Sequence, residues 1–457
     1  MPTTTPTPQT LERRLGPFDA AAIIVSNVIG TGLLFAPSQV ASAVPSALFF
    51  LLAWLAGGAL AFAGAMAYAE LAALRPRAGG EYVYLKEAYG SPVAFLTGWT
   101  SFVAGFSGAI ATSAVVLAFY LGRFIPAAGN STPFLTLPLV PGVLELSLSP
   151  QTMVAVAAIC GMAWIHVRGV GPGRLVMDVL AILKVGAFVL FIAIGFSFGS
   201  GTMANLTETG PVTPTGWLLA LIPVMYAYSG WNAATYVAEE VRDPGRNVPR
   251  ALALGTVAVV LIHVVMNGLY AYVMPVAELG RVSGSVLDVV AEGLLGAAAG
   301  NIMGVVSIVS LLASISAMTF AGPRVYFAMA RDGLFFRNAA TVHTRYKTPA
   351  VAIIAQTAWS CLLVLTAKAD ALLTYTGFSI VLFSGIAVVA LFVLRARQPT
   401  LDRPFRAWGY PVAPGVYALA AAAIVCNGLF RAPRPTGAGA LIILAGVPLY
   451  YLFKRRG

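Results

Sequence analysis

FDAAAIIVSNVIGTGLLFAP, residues 18–37, decides the fold. The stretch is apolar enough for a membrane helix, yet Gly30, Thr31 and Gly32 interrupt it. Gly30 lies 12 residues beyond Phe18, roughly 18 Å along a helix and therefore near the middle of a bilayer core of about 30 Å. Glycines let the backbone leave helical geometry without a Cβ clash, and the N–H groups set free at that depth find no partner in lipid. Something polar has to occupy the gap.

A second weak point, Tyr228-Ser229-Gly230, lies in GWLLALIPVMYAYSGWNAATYVAEEVRDP, residues 216–244, with Gly230 13 residues beyond the interfacial Trp217. Glycines in one helix can serve close packing alone. Two breaks at matched depth, each heading a group of five spans, instead match inverted-repeat transporters, whose half-helix termini bind charged groups at the midplane. The N–H groups that follow Gly30 suit a carboxylate, and the carbonyls around Tyr226 to Ser229 suit an ammonium. An α-amino acid carries both groups.

Composition agrees with a membrane setting: 59% of the 457 residues are hydrophobic, 10% are charged and the mean hydropathy is +0.84. A soluble multi-domain chain is excluded by such values. Apolar runs of about 20 residues give an all-α integral membrane protein of about twelve spans. They begin near residues 17, 46, 92, 151, 172, 214, 249, 296, 349, 371, 411 and 436. The Pro- and Thr-rich beginning has no apolar signal-peptide core, so residues 1–16 are expected to form a disordered tail. With that tail in the cytoplasm, 22 of the 28 Lys and Arg fall on the cytoplasmic side and 5 on the other. The positive-inside rule then places both termini inside, and it accounts for the net charge of +11 without a nucleic-acid partner.

The remaining basic residue, Lys184, is ten positions past Arg174, roughly 15 Å up the fifth span. An ammonium at that depth needs carbonyls or water around it and marks a functional site. It is either a fixed charge bridging the broken first helix to a neighbour or a titrating group linked to protons. The acidic residues Asp19, Glu70, Asp178, Glu239 and Glu240 fall near predicted cytoplasmic helix ends, leaving no counter-charge for a cationic cargo. The mixed-charge run from Glu239 to Arg250 reads as a salt-bridged inner gate or as a solvated loop. AGGEYVYLKEAYG reads as an interfacial helix with Tyr82, Tyr84 and Tyr89 at headgroup level. Cys160, Cys361 and Cys426 are far apart in sequence and read as small core residues, with no disulfide or metal cluster. His166, His263 and His343 form no metal-hydrolase pattern, and Gly195-Phe-Ser197-Phe-Gly199 sits at a helix end and not in the strand-turn-helix of a serine hydrolase. No enzyme activity and no cofactor are expected.

VIGTGLLFAP at 28–37, Lys184, AYSGWNAATYVAEEVRDPGRNVPRAL at 227–252 and FAGPRVYFAMARDGLFF at 320–336 together resemble the amino acid, polyamine and organocation transporter superfamily, in its L-amino acid transporter-like branch. The resemblance implies a core at 17–400 built from inverted repeats at about 17–200 and 214–400, with two further helices in 401–457. It implies sodium-independent transport of small neutral L-amino acids by alternating access, by proton coupling or exchange. The rival within the superfamily is an exchanger of cationic amino acids or polyamines. By resemblance, the N–H groups of Thr31, Gly32 and Leu33, beside Gly30, take the substrate carboxylate, helped by the Thr31 hydroxyl. The carbonyls of Val28, Tyr226, Ala227 and Ser229, beside Gly230, take the amine. The Tyr226 ring forms a gate, Asn232 braces the unwound segment, and Lys184 replaces a sodium ion, met by Ser314 or Ser316. The loop at roughly 123–150 has no cysteine, so no disulfide-linked partner subunit is expected. A bacterial inner membrane is the expected location.

Overall fold

The computed structural model describes residues 11–140, 144–366, 369–431 and 433–455. The expected tail at residues 1–10 lies outside them. The first half runs through helices α1 (Pro17–Val28), α2 (Thr31–Ala43), α3 (Ala47–Leu74), α4 (Glu81–Tyr89), α5 (Ser91–Thr100) and α6 (Phe106–Leu121). A hairpin of β1 (Leu135–Val140) and β2 (Leu144–Leu148) follows, then α7 (Pro150–Val167), α8 (Val170–Phe198) and α9 (Met203–Leu206). The second half has α10 (Pro214–Ala227), α11 (Ala233–Tyr236), α12 (Pro244–Val273), α13 (Val276–Leu279), α14 (Val286–Leu295), α15 (Ala297–Ala321), α16 (Pro323–Arg331), α17 (Ala350–Thr366), α18 (Ala369–Arg397), α19 (Val412–Arg431) and α20 (Pro433–Lys454).

Among the described residues nine helices are long and apolar enough to cross a membrane, and α1 with α2, bent by 46°, makes a tenth span. The shorter apolar helices Pro214–Ala227 and Ala350–Thr366 occupy the other two places expected from sequence. The chain is an all-α, multi-pass membrane protein whose small antiparallel hairpin is confined to one loop.

The first break follows from the local sequence. Pro17 opens α1, the Gly16 N–H donates to Asp19 at 2.5 Å, and helical geometry ends at Ile29, whose ψ is 92°. The second break is prepared by Pro223, which lacks an N–H inside α10. It is completed by Gly230, whose φ of +100° favours glycine. The two breaks are pressed against each other. A Cβ on Gly32 would meet the Ala227 Cα at 2.6 Å, and one on Gly230 would meet the Asn27 side chain at 3.0 Å.

Gly32→Ala is therefore expected to lower stability by about 1–3 kcal/mol, the usual result of overpacking against backbone that cannot yield. Thermal unfolding in detergent checks this. A variant as stable as the wild type would mean that the two half-helices slide apart freely.

Two sequence expectations change. Residues 11–16 do not belong to a tail: Leu15 is buried, its N–H donates to the Glu240 carbonyl at 2.9 Å, and its own carbonyl accepts from the Arg242 N–H at 2.9 Å. Leu11 packs with Ala78 and Phe327. Apolar side chains that a disordered tail would expose here seal the Arg-rich end of the bundle. The cysteines are not all in the core either. Cys160 and Cys426 are exposed on outward helix faces, and Cys160 Sγ lies 4.0 Å from Cys361 Sγ. A helix surrounded by lipid can place apolar residues outward, so an apolar run does not imply burial in protein.

Candidate functional site

Between the two breaks lies a cavity of about 110 Å³, several times the ~10–15 Å³ that one water centre needs. Thr31 and Gly32 line it from the start of α2, and Tyr226, Ser229, Gly230 and Asn232 line it from the second break. Val28, Gly30 and Ser314 also reach it. Backbone N–H groups at the start of α2 carry the positive end of that half-helix. The Thr31 and Tyr226 hydroxyls lie 3.2 Å apart, so the Tyr226 ring spans from one break to the other.

Of the other expected site residues, Leu33 is buried in the core, and its N–H already donates to the Gly30 carbonyl at 3.2 Å. The Tyr226 carbonyl is filled as well, accepting from the Ser229 N–H at 3.0 Å and from the Ser229 hydroxyl at 2.7 Å. These two groups leave the set free to meet a ligand in this state. Ala227 sits behind the cavity wall against Gly32. Asn232 donates to Glu81 at 2.7 Å and to the Tyr236 hydroxyl at 3.0 Å, tying the unwound segment to α4.

Lys184 is wholly buried, and its ammonium is surrounded by oxygen. It donates to the Ser26 carbonyl at 3.0 Å, to the Ile29 carbonyl and to the Ser314 hydroxyl at 3.2 Å. Three donors meet three acceptors, so each hydrogen of the amino group has an oxygen partner within the protein. α1 ends where its last carbonyls turn to Lys184, so the lysine reaches from α8 to the break and to α15. Ser316 does not join it. Two residues further along α15, it points to the other side and meets His166 Nε2 at 2.9 Å.

Sequence reading missed three contributors. Ser310, one turn before Ser314, donates to the Ile29 carbonyl at 3.2 Å, and the serine spacing of four on one helix face is the signal for it. The Ser26 carbonyl carries no side-chain signature. Glu81 is the largest omission. It was read with an interfacial helix, but it is buried and lines the cavity, receiving the Tyr68 hydroxyl at 2.6 Å. Tyr82 and Tyr84 are buried too and Tyr89 is half-buried, because α4 packs between α18 and α5.

At the Arg-rich end, the two glutamates of the run after the second break are held in ion pairs, while Arg242, Asp243, Arg246 and Arg250 are exposed. Glu240 and Arg324, both 0% exposed, pair through contacts of 2.7 and 3.0 Å. Glu239 receives Arg331 at 2.9 Å, the Ala78 N–H at 3.0 Å and the Leu11 N–H at 3.1 Å. Both basic partners come from the 320–336 motif and not from the arginines adjoining the glutamates.

Residues 15–453 match the family model described as amino acid permease. The chain belongs to the amino acid permease family. It is similar to the large neutral amino acids transporter small subunit 2 of Homo sapiens, at 29% identity over 97% of this chain and 80% of that one. The human Asc-type amino acid transporter 1 is 27% identical over 97% of this chain and 82% of its own length. The serine/threonine exchanger SteT of Bacillus subtilis (strain 168) is 27% identical over 98% of each. These relatives place this permease in the superfamily that the motifs resembled.

Proposed function

We propose that this permease carries small neutral L-amino acids by alternating access around the cavity between its two breaks, independently of sodium. The observation that carries the proposal is the ammonium of Lys184 set against the end of α1, beside a cavity walled by both breaks. A fixed positive charge in that place makes a bound cation unnecessary for holding the broken helix. The ligand's carboxylate would rest on the N–H groups of Thr31 and Gly32 and on the Thr31 hydroxyl. Its amine would meet the carbonyls of Val28 and Ser229, both at the cavity. Repeats at 17–200 and 214–400 would rock about this point, with residues 401–457 outside the moving core and both termini cytoplasmic. The names of the relatives, two of which specify neutral amino acids or serine and threonine, support the same substrate class.

The cationic alternative draws on Glu81, an acid in the cavity wall. Two neutral donors already hold its Oε1, which favours the neutral substrate.

The test is thermal unfolding of the purified protein against each of the twenty L-amino acids, D-alanine, agmatine and putrescine, with and without sodium. A ligand at about 100 times its Kd adds about 2.7 kcal/mol of apparent stability. Stabilisation by small neutral L-amino acids, equal with and without sodium, is expected. Stabilisation by arginine, lysine or amines alone would replace the reading with the cationic one.

A further inference from the structure

Glu81 occupies a place that the proposed transport cycle does not use. Its helix, α4, lies outside the spans, yet its first residue reaches the cavity beside the second break. Tyr68 of α3 and Asn232 both donate to Glu81 Oε1, and the Tyr236 hydroxyl, itself accepting from Asn232, also faces the carboxyl. The other titratable groups around it are Tyr84 of α4 and Tyr417 of α19. The charged groups on neighbouring elements are engaged elsewhere. Asp332, just after α16, pairs with Lys86 and Tyr82, Arg397 of α18 donates to the Ala88 carbonyl, and Arg395 of α18 pairs with Glu70 of α3. α5 offers no titratable side chain. Among the described residues, no lysine or arginine pairs with Glu81.

A buried carboxyl held by neutral donors alone gains a proton more readily than one paired with a cation. As an anion it accepts from Asn232 and Tyr236 and so clamps the unwound segment to α3 and α4. As an acid it has one oxygen fewer to offer, and that clamp weakens.

We propose that Glu81 is a proton-binding site in the cavity wall, and that its protonation releases the second broken helix through Asn232 and Tyr236. The inference rests on the transport reading and adds to it the proton's location, away from Lys184. Burial pushes the Glu81 carboxyl up to about 7, with the hydrogen bonds from Tyr68, Asn232 and Tyr236 pulling the other way. The protonated fraction then falls from about nine-tenths at pH 6 to about one-eleventh at pH 8, which predicts a roughly tenfold fall in uptake. A second consequence concerns the ligand-free protein. The native carboxyl binds its proton more tightly than the unfolded one, about 7 against 4.5, so stability falls as pH rises through that window.

The experiment compares wild type with Glu81→Gln, which imitates the protonated acid. The first readout is uptake of the stabilising amino acid into proteoliposomes at equal internal and external pH, from 5.5 to 8.5. The second is ligand-free thermal unfolding from pH 4.5 to 8. The wild type should show both pH dependences, and Glu81→Gln should stay active and lose both. A wild-type pH profile in the variant, or a flat one in the wild type, overturns the proposal. Absence of any amino acid uptake by the wild type would overturn the transport reading, and the unfolding series would still decide whether Glu81 binds the proton. If Glu81→Gln does not fold, Glu81→Asp serves, with a displaced midpoint expected and an unmoved one overturning the proposal.

Discussion

Lys184→Ala is expected to lower amino acid uptake about tenfold or more and leave the chain folded. Among the described residues, Lys184 is the one basic side chain that donates to the Ser26 and Ile29 carbonyls where α1 ends, and the substitution removes it. A hydrogen bond made by a charged group contributes about 1.5–3 kcal/mol, and each ~1.4 kcal/mol is a tenfold change in an equilibrium. Misplacing the break by such an amount lowers uptake by about tenfold or more. The fold survives because Ser310 and Ser314 still reach the same two carbonyls, at 3.2 Å to Ile29 and 2.9 Å to Ser26. Proteoliposome uptake beside thermal unfolding checks both halves of the expectation. Lys184→Met retains most of the volume without the charge and should fail equally. Transport by the methionine variant would make Lys184 a packing residue and remove the charge from the mechanism.

Arg324→Ala should produce the largest loss of stability. Arg324 and Glu240 are fully buried and joined by two short contacts, and the guanidinium also lies 3.9 Å from the centre of the Phe320 ring. Removing one partner leaves a buried charge uncompensated, which destabilises by about 3–5 kcal/mol. Replacing both partners by uncharged groups of similar size is far milder, so Arg324→Met combined with Glu240→Gln is expected to recover most of the loss. Thermal unfolding of the single and double variants gives the comparison. A single variant as stable as the double one would show that the pair is dispensable. The pair joins the segment after the second break to α16, so even the stable double variant is expected to transport at an altered rate.

Much of the site was legible in the sequence because its main residues violate the rules of their surroundings. Gly30, Thr31 and Gly32 interrupt an apolar run, Tyr228, Ser229 and Gly230 interrupt another, and Lys184 places a charge where hydropathy allows none. Such conflicts stand out against a lipid-facing background without any tertiary information. Ser314 was reached only through the family resemblance, and its neighbour Ser316 was equally eligible until the rotation of α15 turned one serine to Lys184 and the other to His166.

Glu81 shows the opposite case. In AGGEYVYLKEAYG an acid beside aromatic and basic residues looks like an ordinary interfacial segment, and nothing local distinguishes a carboxyl in water from one sealed under Tyr68 and Asn232. Glu239 and Glu240 were seen as charged, but their partners Arg331 and Arg324 stand more than 80 positions away. Leu11 and Leu15 read as tail because a short polar segment gives no periodic pattern.

By itself, the sequence determined that the chain lives in a membrane, about where it crosses and where two of the crossings break. Those properties depend on hydropathy and backbone freedom, which are local. Tertiary structure decided that Gly32 meets Ala227, that Lys184 is fully met by oxygen, and that Glu81 enters the cavity wall. These depend on how helices distant in sequence rotate and pack, and a helix carries no local record of which face will meet which neighbour.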